Sequence, residues 1–202
     1  MDSTTTIKIT KLFGSKTLKA VNFDAVELNI FKNGNIDNAI SIPVEKLNAF
    51  RYGYKRISGY AFTIGWHYFI EIKDDNKQVT TLKFNSYYHI KKHEYYKTWT
   101  ELVNQLWNNY FASNASYYHE LYKIGQAFEL CGVHFFDSGI RWDEKNMLLW
   151  HEIGISNYAN YFMIYNTQNK RQHKSYSFAN DWNAAVLQNV LKAVVAERRL
   201  AK

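Results

Sequence analysis

The stretch "FFDSGIRWDEKNMLLWHEI", residues 135–153, has the pattern of a hairpin that leads into a third strand. An earlier stretch, "FKNGNIDNAISIPVEKL" (31–47), repeats that pattern in different letters. Each contains a short polar turn that ends in glycine, Gly139 in one and Gly34 in the other. Glycine supplies the positive φ that tight hairpin turns require, so both stretches are predicted to contain a hairpin.

The spacing beyond the two turns is also similar. Val44 in "IPVEKL" follows Phe31 by 13 residues, and Trp150 in "LLWHEI" follows Phe136 by 14. A second pair of segments, with one inserted residue, reads as strand, polar turn, strand in both places. In the first of them apolar and polar residues alternate, which predicts a strand with one inward face formed by Trp66, Tyr68, Ile70 and Ile72. The further matches are "AVEL" (25–28) with "AFEL" (127–130), 67–85 with 160–180, Tyr68 with Tyr161, Phe69 with Phe162, Asn76 with Asn169, Lys77 with Lys170, and Phe84 with Phe178. We interpret the chain as a duplicated unit.

Each repeat is predicted to end in an amphipathic helix headed by tryptophan. In the first repeat "TWTE" (98–101) is typical of a capping box, in which the Thr98 hydroxyl bonds the Glu101 amide. In the second, Asn180 or Asp181 is the expected cap. The apolar stripes expected to face the core are Trp99, Leu102, Val103, Leu106 and Trp107, and Trp182, Val186, Leu187, Val190, Leu191 and Val194.

The order of strands, the "FDSGI" turn, "LLWHEI" and the helix from Trp182 resembles bacterial pleckstrin-homology-like (PH-like or GRAM-like) domains. The resemblance is best over about 125–197, whereas the first repeat, about 7–111, differs through "IPVEKL" and an insertion, "YYHIKKHEYY" (87–96). It implies an α+β, mostly β chain of two tandem PH-like partly open barrels or bent sandwiches, each closed by its C-terminal helix. The expected division is domain 1 at 1–111, a linker or short helix at 112–124 that includes "ASNAS" (112–116), and domain 2 at 125–202.

The composition narrows the class of protein. Of the 202 residues 47% are hydrophobic and 17% aromatic, which favours a globular and β-rich chain. No run of apolar residues is long enough for a membrane span, and the start "MDSTTTIKIT" does not read as a signal peptide, so a cytoplasmic location is expected. Cys131 is the single cysteine, which excludes an internal disulfide and a multi-cysteine zinc site.

Residue patterns for catalysis or metal binding are weak. The pairs His93-Glu94, His119-Glu120 and His151-Glu152 lack the second histidine of a zincin helix. His89 and His93 would share a helix face, but two imidazoles beside two lysines are not a complete ligand set for a cation. We expect His151 and Glu152 to be surface residues of a strand and Cys131 to be a small buried strand residue. With no acyl-transfer, P-loop or dinucleotide motif, we predict no enzyme activity, cofactor or metal.

The stretch "FRYGYKRISGY" (50–60) is the candidate ligand site and is predicted to be a basic aromatic loop, the alternative being a basic loop or bent strand on the solvent face of the sheet. Guanidinium and ammonium groups would bind phosphate oxygens, while tyrosine rings would contact bases or a lipid interface. The equivalent "ISNYANYF" of the second repeat has no basic residue. The alternative is a solvated loop with half-packed tyrosines. The candidate residues, with two lysines from "KLFGSKTLK" (11–19), are Arg51, Tyr52, Tyr54, Lys55, Arg56, Lys16 and Lys19.

Three functions follow for a chain of net charge +7. The leading hypothesis is a non-catalytic binding or scaffolding protein that acts through protein–protein contact or self-association. The first alternative is recruitment to an anionic phosphate-bearing partner, lipid head groups or nucleic acid, through the basic aromatic stretch. A more distant third is an enzyme with a site between the two domains.

Overall fold

The structure is a computed structural model that describes residues 4–32, 39–144 and 147–200. The chain divides into two compact units, unit 1 (Met1–Tyr110) and unit 2 (Phe111–Lys202). The described residues form four small antiparallel sheets and three α-helices, which confirms a mostly β, α+β chain. None of the helices in these ranges is long and apolar enough to cross a membrane.

Unit 1 contains a four-stranded sheet, a three-stranded sheet and a helix, in that order. The first sheet is β1 (Thr5–Thr10), β2 (Thr17–Phe23), β3 (Glu27–Lys32) and β4 (Ala39–Pro43). The 3₁₀ helix Val44–Lys46 leads to the second sheet, β5 (Leu47–Ser58), β6 (Thr63–Asp74) and β7 (Val79–Tyr87). Helix α1 (Lys92–Leu106) follows, and Trp107–Phe111 are π-helical.

Unit 2 repeats this order after a helix, α2 (Ala112–Lys123). Its sheets are β8 (Phe128–Leu130), β9 (Val133–Phe136), β10 (Gly139–Arg141) and β11 (Met147–Leu149), then β12 (Ile153–Asn157), β13 (Tyr161–Asn166) and β14 (His173–Ser177). The 3₁₀ helix Trp150–Glu152 lies between the sheets, and α3 (Ala184–Leu200) ends the unit. The predicted linker "ASNAS" is therefore helical; Ser116 Oγ donates to the Ala112 carbonyl at 3.2 Å within α2.

The cores follow the predicted periodicities. Tyr68, Ile70 and Ile72 alternate along β6 and are at most 2% exposed. The α3 stripe from Val186 to Val194 is buried as expected, but Trp182 does not head the helix, because it lies two residues before Ala184 and is only half-buried. Asp181 does not cap this helix, because α3 begins three residues later and the Asp181 carboxylate accepts the Ser177 N–H at 2.7 Å.

Helix α1 begins six residues before Thr98, so the predicted capping box is wrong. The apolar stripe extends upstream, since buried Tyr95 precedes Trp99 by four residues. Glu94 lies in the first turn, where the helix dipole favours a carboxylate. The insertion at 87–96 thus supplies the start of α1.

The two glycine motifs do not occupy equivalent positions in the order of strands, which corrects part of the repeat alignment. "FDSG" joins the second and third strands of its sheet, β9 and β10, whereas "FKNG" follows the third strand, β3. "AVEL" likewise enters β3, but "AFEL" lies in the first strand, β8. Gly34 lies outside the described residues. Gly139 is not at positive φ; a Cβ there would lie 2.0 Å from the Leu148 carbonyl oxygen, so glycine permits the close approach of β10 and β11.

The hairpins β5–β6 and β12–β13 can be matched by their hydrogen bonds. The Asp75 N–H donates to the Lys46 carbonyl at 3.0 Å, and the Thr167 N–H donates to the Glu152 carbonyl at 2.8 Å. Each bond ties a strand end to the last residue of a 3₁₀ helix. The match of "IPVEKL" with "LLWHEI" therefore continues, without a change of register, into the hairpins β5–β6 and β12–β13.

That register places Ile70, not Phe69, opposite Phe162 in the comparison of the units. Tyr52↔Ile70 and Asn157↔Phe162 are both the fifth pair after the 3₁₀ helix. The turn after β13 is closed by residues 166 and 172 and that after β6 by residues 74 and 78, so the sequence alignment with one insertion slipped by one residue. In a strand such a slip exchanges the buried and exposed faces.

Unit 1 continues its hairpin where unit 2 turns. Six further pairs run from Gly53↔Phe69 to Ser58↔Thr63 in β5–β6. In unit 2 the chain turns after Asn157, and the Tyr158 N–H donates to the Tyr161 carbonyl at 3.0 Å. We call residues 53–58 and 63–69 the hairpin extension.

Candidate binding site

The predicted basic loop is mostly strand, since β5 includes every residue up to Ser58. Successive side chains of a strand point to opposite faces, so Tyr52, Tyr54 and Arg56 share one face while Arg51 and Lys55 lie on the other. The three cations therefore do not converge on one phosphate, as a loop would have allowed.

The cations of the second face have contacts of their own. Arg51 Nε lies 2.6 Å from Glu71 Oε2, its cross-strand neighbour. Lys55 Nζ lies 5.5 Å from the centroid of the Phe69 ring, a cation–π arrangement. These contacts favour a role in the sheet face over phosphate binding.

The two lysines from the β1–β2 region are not brought to the same place. Lys16 is exposed in the turn, and its carbonyl accepts the Lys11 N–H at 2.7 Å. Lys19 is half-buried in β2 and pairs with Lys32 in β3. Burial, and then the positive charges of Lys32 and Lys83, lower the pKa of Lys19. The charged form of Lys19 is therefore less stable in the folded chain than in water.

The structure instead brings together six residues from β5, β6 and the start of α1. They surround an opening of about 320 Å³ that we call the aromatic pocket. Pockets of a few hundred Å³ with aromatic walls and few polar groups are typical of ligand sites. The lining residues are Tyr54, Trp66, Tyr68, Lys92, His93 and Tyr96.

Tyr54 is the centre of the aromatic walls. Its ring centroid lies 5.8 Å from that of Trp66, 5.9 Å from that of Tyr96 and 5.4 Å from that of Trp99. The contacts with Tyr96 and Trp99 are edge-to-face, at 87° and 83°. Edge-to-face pairs are the favoured geometry of aromatic rings, so the walls are held by mutual contact. The Trp99 Nε1–H donates to the Phe69 carbonyl at 3.1 Å and ties α1 to β6.

Three polar groups of the pocket are a cation, the Lys92 ammonium, and two donors, the Tyr68 hydroxyl and the Trp66 indole N–H. Lys92 Nζ lies 5.0 Å from the centroid of the Trp66 ring. The Tyr68 hydroxyl donates to the Lys92 carbonyl at 3.2 Å, and burial raises the pKa of Tyr68, so it stays a protonated donor. Trp66 Nε1–H is buried and has no acceptor within the described part of the chain. A buried donor without an acceptor is costly and calls for a partner.

No carboxylate lines the pocket in the described ranges. The neighbouring acid, Glu94, is held elsewhere: its Oε1 accepts from Thr10 Oγ1 at 2.9 Å and lies 3.5 Å from Lys91 Nζ. Arg56 is the cross-strand neighbour of Trp66 on the same face and is exposed, with Nε 3.1 Å from Ser58 Oγ. The pocket therefore has a positive electrostatic character.

Sequence analysis found one of the six pocket residues, Tyr54. It missed Trp66 and Tyr68 as site residues because they were assigned to the core face alone. It missed Lys92, His93 and Tyr96 because the insertion was treated as separate from the helix. The available signals were the i, i+4 spacing of Lys92 with Tyr96 and the long apolar alternation of β6.

The other groups weighed for chemistry have structural surroundings. Cys131 lies in the β8–β9 turn at φ 54° rather than in a strand, because a two-residue hairpin turn needs positive φ. Its Sγ donates to the Trp182 carbonyl at 3.0 Å, and burial raises the pKa of Cys131 to about 12. His151 and Glu152 belong to a 3₁₀ helix, not a strand, and Glu152 Oε2 accepts the Leu149 N–H at 3.1 Å. Across the described ranges, His, Cys, Asp and Glu form no group of three that could hold a metal ion.

No protein-family model matches the chain, and no curated protein or solved structure shows significant similarity to it.

Proposed function

We propose that this chain is a non-catalytic binding or scaffolding protein built from two PH-like units. The resemblance of "FDSGI" and "LLWHEI" to such domains supports this proposal. So does the order of elements that both units share: four strands, a 3₁₀ helix, three strands and a helix. In this view the order of elements that both units share is a common frame, and the function is determined by the segments that each unit adds to it.

The partner contact is assigned to the aromatic pocket of unit 1, and this pocket is the observation that carries the proposal. Tyr96 is 48% exposed although it packs on Tyr54 and Trp99, so its ring is available to a partner. Buried aromatic contacts supply much of the free energy of protein–protein binding. A protein side chain that enters the pocket would cover these rings.

Affinity capture from the native host tests this assignment with Tyr96→Ala. Tyr158→Ala is the matched control, since Tyr158 is 46% exposed in unit 2 and stacks on Tyr161 at 4.4 Å. We expect the wild-type chain and the control to retain a partner, or a second copy of the chain, that Tyr96→Ala loses. Equal capture by both variants would reject the pocket. An empty capture together with a monomeric mass at high concentration would reject the binding function itself.

A second candidate function is recruitment to an anionic phosphate-bearing surface. The supporting observation is a group of exposed apolar side chains and cations at one end of unit 1. The Tyr88 N–H donates to the Ile64 carbonyl at 2.7 Å, which places the β5–β6 and β7–α1 turns at the same end of their sheet. Lys91 Nζ donates to Thr10 Oγ1 at 2.6 Å and to the Gly14 carbonyl at 3.1 Å, which adds the β1–β2 turn. The exposed residues are Phe13, Tyr60, Phe62, Tyr88 and Ile90, with Lys11, Lys16 and Arg56.

Salt dependence separates the two candidates. Binding to phosphatidylserine vesicles or to an oligonucleotide should weaken steeply as salt rises from about 50 to 200 mM, because counterions compete for the phosphates. Arg56→Ser with Lys16→Ser should reduce this binding more than Arg51→Ser, since Arg51 is paired with Glu71. Binding that is absent at low salt, or indifferent to salt and to these variants, would reject surface recruitment.

A further inference from the structure

We infer that the aromatic pocket binds an aryl anion, a flat aromatic ring that carries a phosphate or carboxylate group. The inference rests on the proposed binding function and names the chemistry that the pocket accepts. The ring would occupy the space between the aromatic walls, and the anionic group would lie beside Lys92.

The size and walls of the pocket suit one aromatic group. An opening of about 320 Å³ has room for a substituted benzene ring together with its anionic group. The rings of Tyr54 and Tyr96 already meet edge-to-face at 87°, so a third ring can stack on one while it meets the edge of the other. A long aliphatic group would forgo these contacts.

The position of Lys92 determines the sign of the ligand charge. An aromatic box without a cation would suit an ammonium ligand through cation–π contact. Here the Lys92 ammonium lies 5.0 Å from the Trp66 ring centroid, so the protein's own cation already takes the cation–π position over the largest ring of the pocket. Like charges at this spacing repel, whereas an anion would be attracted to Lys92 and to Arg56 on the same sheet face.

The test measures binding to the full chain by titration calorimetry at constant ionic strength. The probes are phenyl phosphate, benzoate, inorganic phosphate, phenol and phenyltrimethylammonium. We expect saturable binding of phenyl phosphate at least about 10-fold tighter than that of inorganic phosphate or phenol, because ring and anion contacts act together. Phenyltrimethylammonium should not bind. Tighter binding of the cation than of phenyl phosphate would overturn the inference.

Two variants place the binding in the pocket. Lys92→Gln removes the cation but leaves the carbonyl that Tyr68 bonds, and it should weaken phenyl phosphate binding by about 10-fold or more. Tyr96→Ala removes one wall and should weaken benzoate and phenyl phosphate alike. Lys170→Gln, an exposed lysine in unit 2, is the matched control and should change nothing. Unchanged binding in both pocket variants would overturn the assignment even if the probes bind.

The outcomes also separate this inference from the proposed function. A partner that is captured through Tyr96, combined with no binding of either aryl anion, would leave the proposed function standing and reject the aryl-anion ligand. If the probes bind, a phosphotyrosyl peptide and free phosphotyrosine distinguish a protein source from a small molecule. Preference for the peptide assigns the ligand to a partner chain, and equal affinity assigns it to a free metabolite.

Discussion

Units 1 and 2 have the same order of elements but hairpins of different length. β5 and β6 are 12 residues each, whereas β12 has five and β13 six. Three pocket residues, Tyr54, Trp66 and Tyr68, lie in the hairpin extension, which unit 2 lacks. The other three lie at the start of α1, in the insertion of the first repeat. The hairpin extension and the insertion at 87–96 therefore meet in unit 1 and form a site that the elements common to both units do not contain by themselves.

The helices differ in the same sense. α1 meets the extended sheet with aromatic residues, Tyr95 and Trp99, while α3 buries a stripe of valine and leucine. The opening between β12 and α3 is smaller, about 200 Å³, and its apolar walls are aliphatic, with Ile155 and Val195. Aliphatic side chains fill space without offering ring faces, so this opening does not reproduce the aromatic pocket of unit 1.

The largest expected effect on stability comes from removal of the Trp99 ring, which packs the start of α1 against β5 and β6. Trp99→Ala removes contacts with four tyrosines and the bond to the Phe69 carbonyl. We expect a loss of about 3–5 kcal/mol in the free energy of unfolding, by analogy with other buried tryptophans. Urea denaturation measures the loss, and hydrogen–deuterium exchange should localise it to β5–β7 and α1. A loss of protection spread evenly over units 1 and 2 would contradict the idea that the additions form a local assembly.

Gly65→Ala tests the hairpin extension itself. A Cβ at residue 65 would lie 2.0 Å from the Ser86 carbonyl oxygen, and this backbone atom can move only with β7. We expect a loss of about 1–3 kcal/mol, the usual range for overpacking, together with weaker aryl-anion binding. Gly59→Ala is the control, because its Cβ would meet only the flexible Ile64 side chain at 3.2 Å and the Phe62 carbonyl at 3.6 Å. Comparable losses for both variants would show that turn flexibility, not strand approach, is the sensitive feature.

The sequence predicted the repeated frame better than it predicted the site. Period-two alternation in β6 and the stripe of α3 were readable because burial imposes them directly. The match of Phe69 with Phe162 was wrong because turn length is free to change. The turn after β13 is two residues longer than the turn after β6, whereas the alignment of the shared "YF" pairs allowed for one inserted residue. The pocket could not be predicted as one site, since Tyr54 and Tyr96 are 42 positions apart and their contact depends on tertiary packing.

Two Tyr→Phe variants compare the contribution of a buried tyrosine hydroxyl to stability in unit 1 and in unit 2. The Tyr95 hydroxyl of unit 1 donates to the Thr10 carbonyl at 2.8 Å, whereas the Tyr176 hydroxyl of unit 2 is buried without a partner in the described ranges. Tyr95→Phe should lower the free energy of unfolding by about 0.5–1.5 kcal/mol, and Tyr176→Phe should raise it by roughly 1 kcal/mol. Thermal and urea unfolding of both variants provide the measurement. A loss in both would mean that the Tyr176 hydroxyl bonds an ordered water.

The last effect is absent at neutral pH and emerges in alkali. Burial raises the pKa of Tyr52 to about 12, above the ordinary value near 10 for tyrosine. Below pH 10 the phenol is neutral in the folded and unfolded chains, so its contribution to stability is fully present. Between pH 10 and 12 the unfolded chain loses this proton while the folded chain keeps it, so the free energy of unfolding falls as pH rises.

Tyr52→Phe isolates this contribution, because the same variant at pH 7 to 9 serves as its own control. We expect a constant stability difference from wild type in that range and a shift in favour of the variant above pH 10, measured by urea unfolding. The equivalent residue of unit 2 is the exposed Asn157, which cannot titrate, so the effect belongs to unit 1. Tyr52 owes its burial to Trp99, 5.8 Å away between centroids, and to the strand that continues past it. Stability curves that stay parallel up to pH 11 would mean that Tyr52 is hydrated in solution and does not pack against Trp99 of α1.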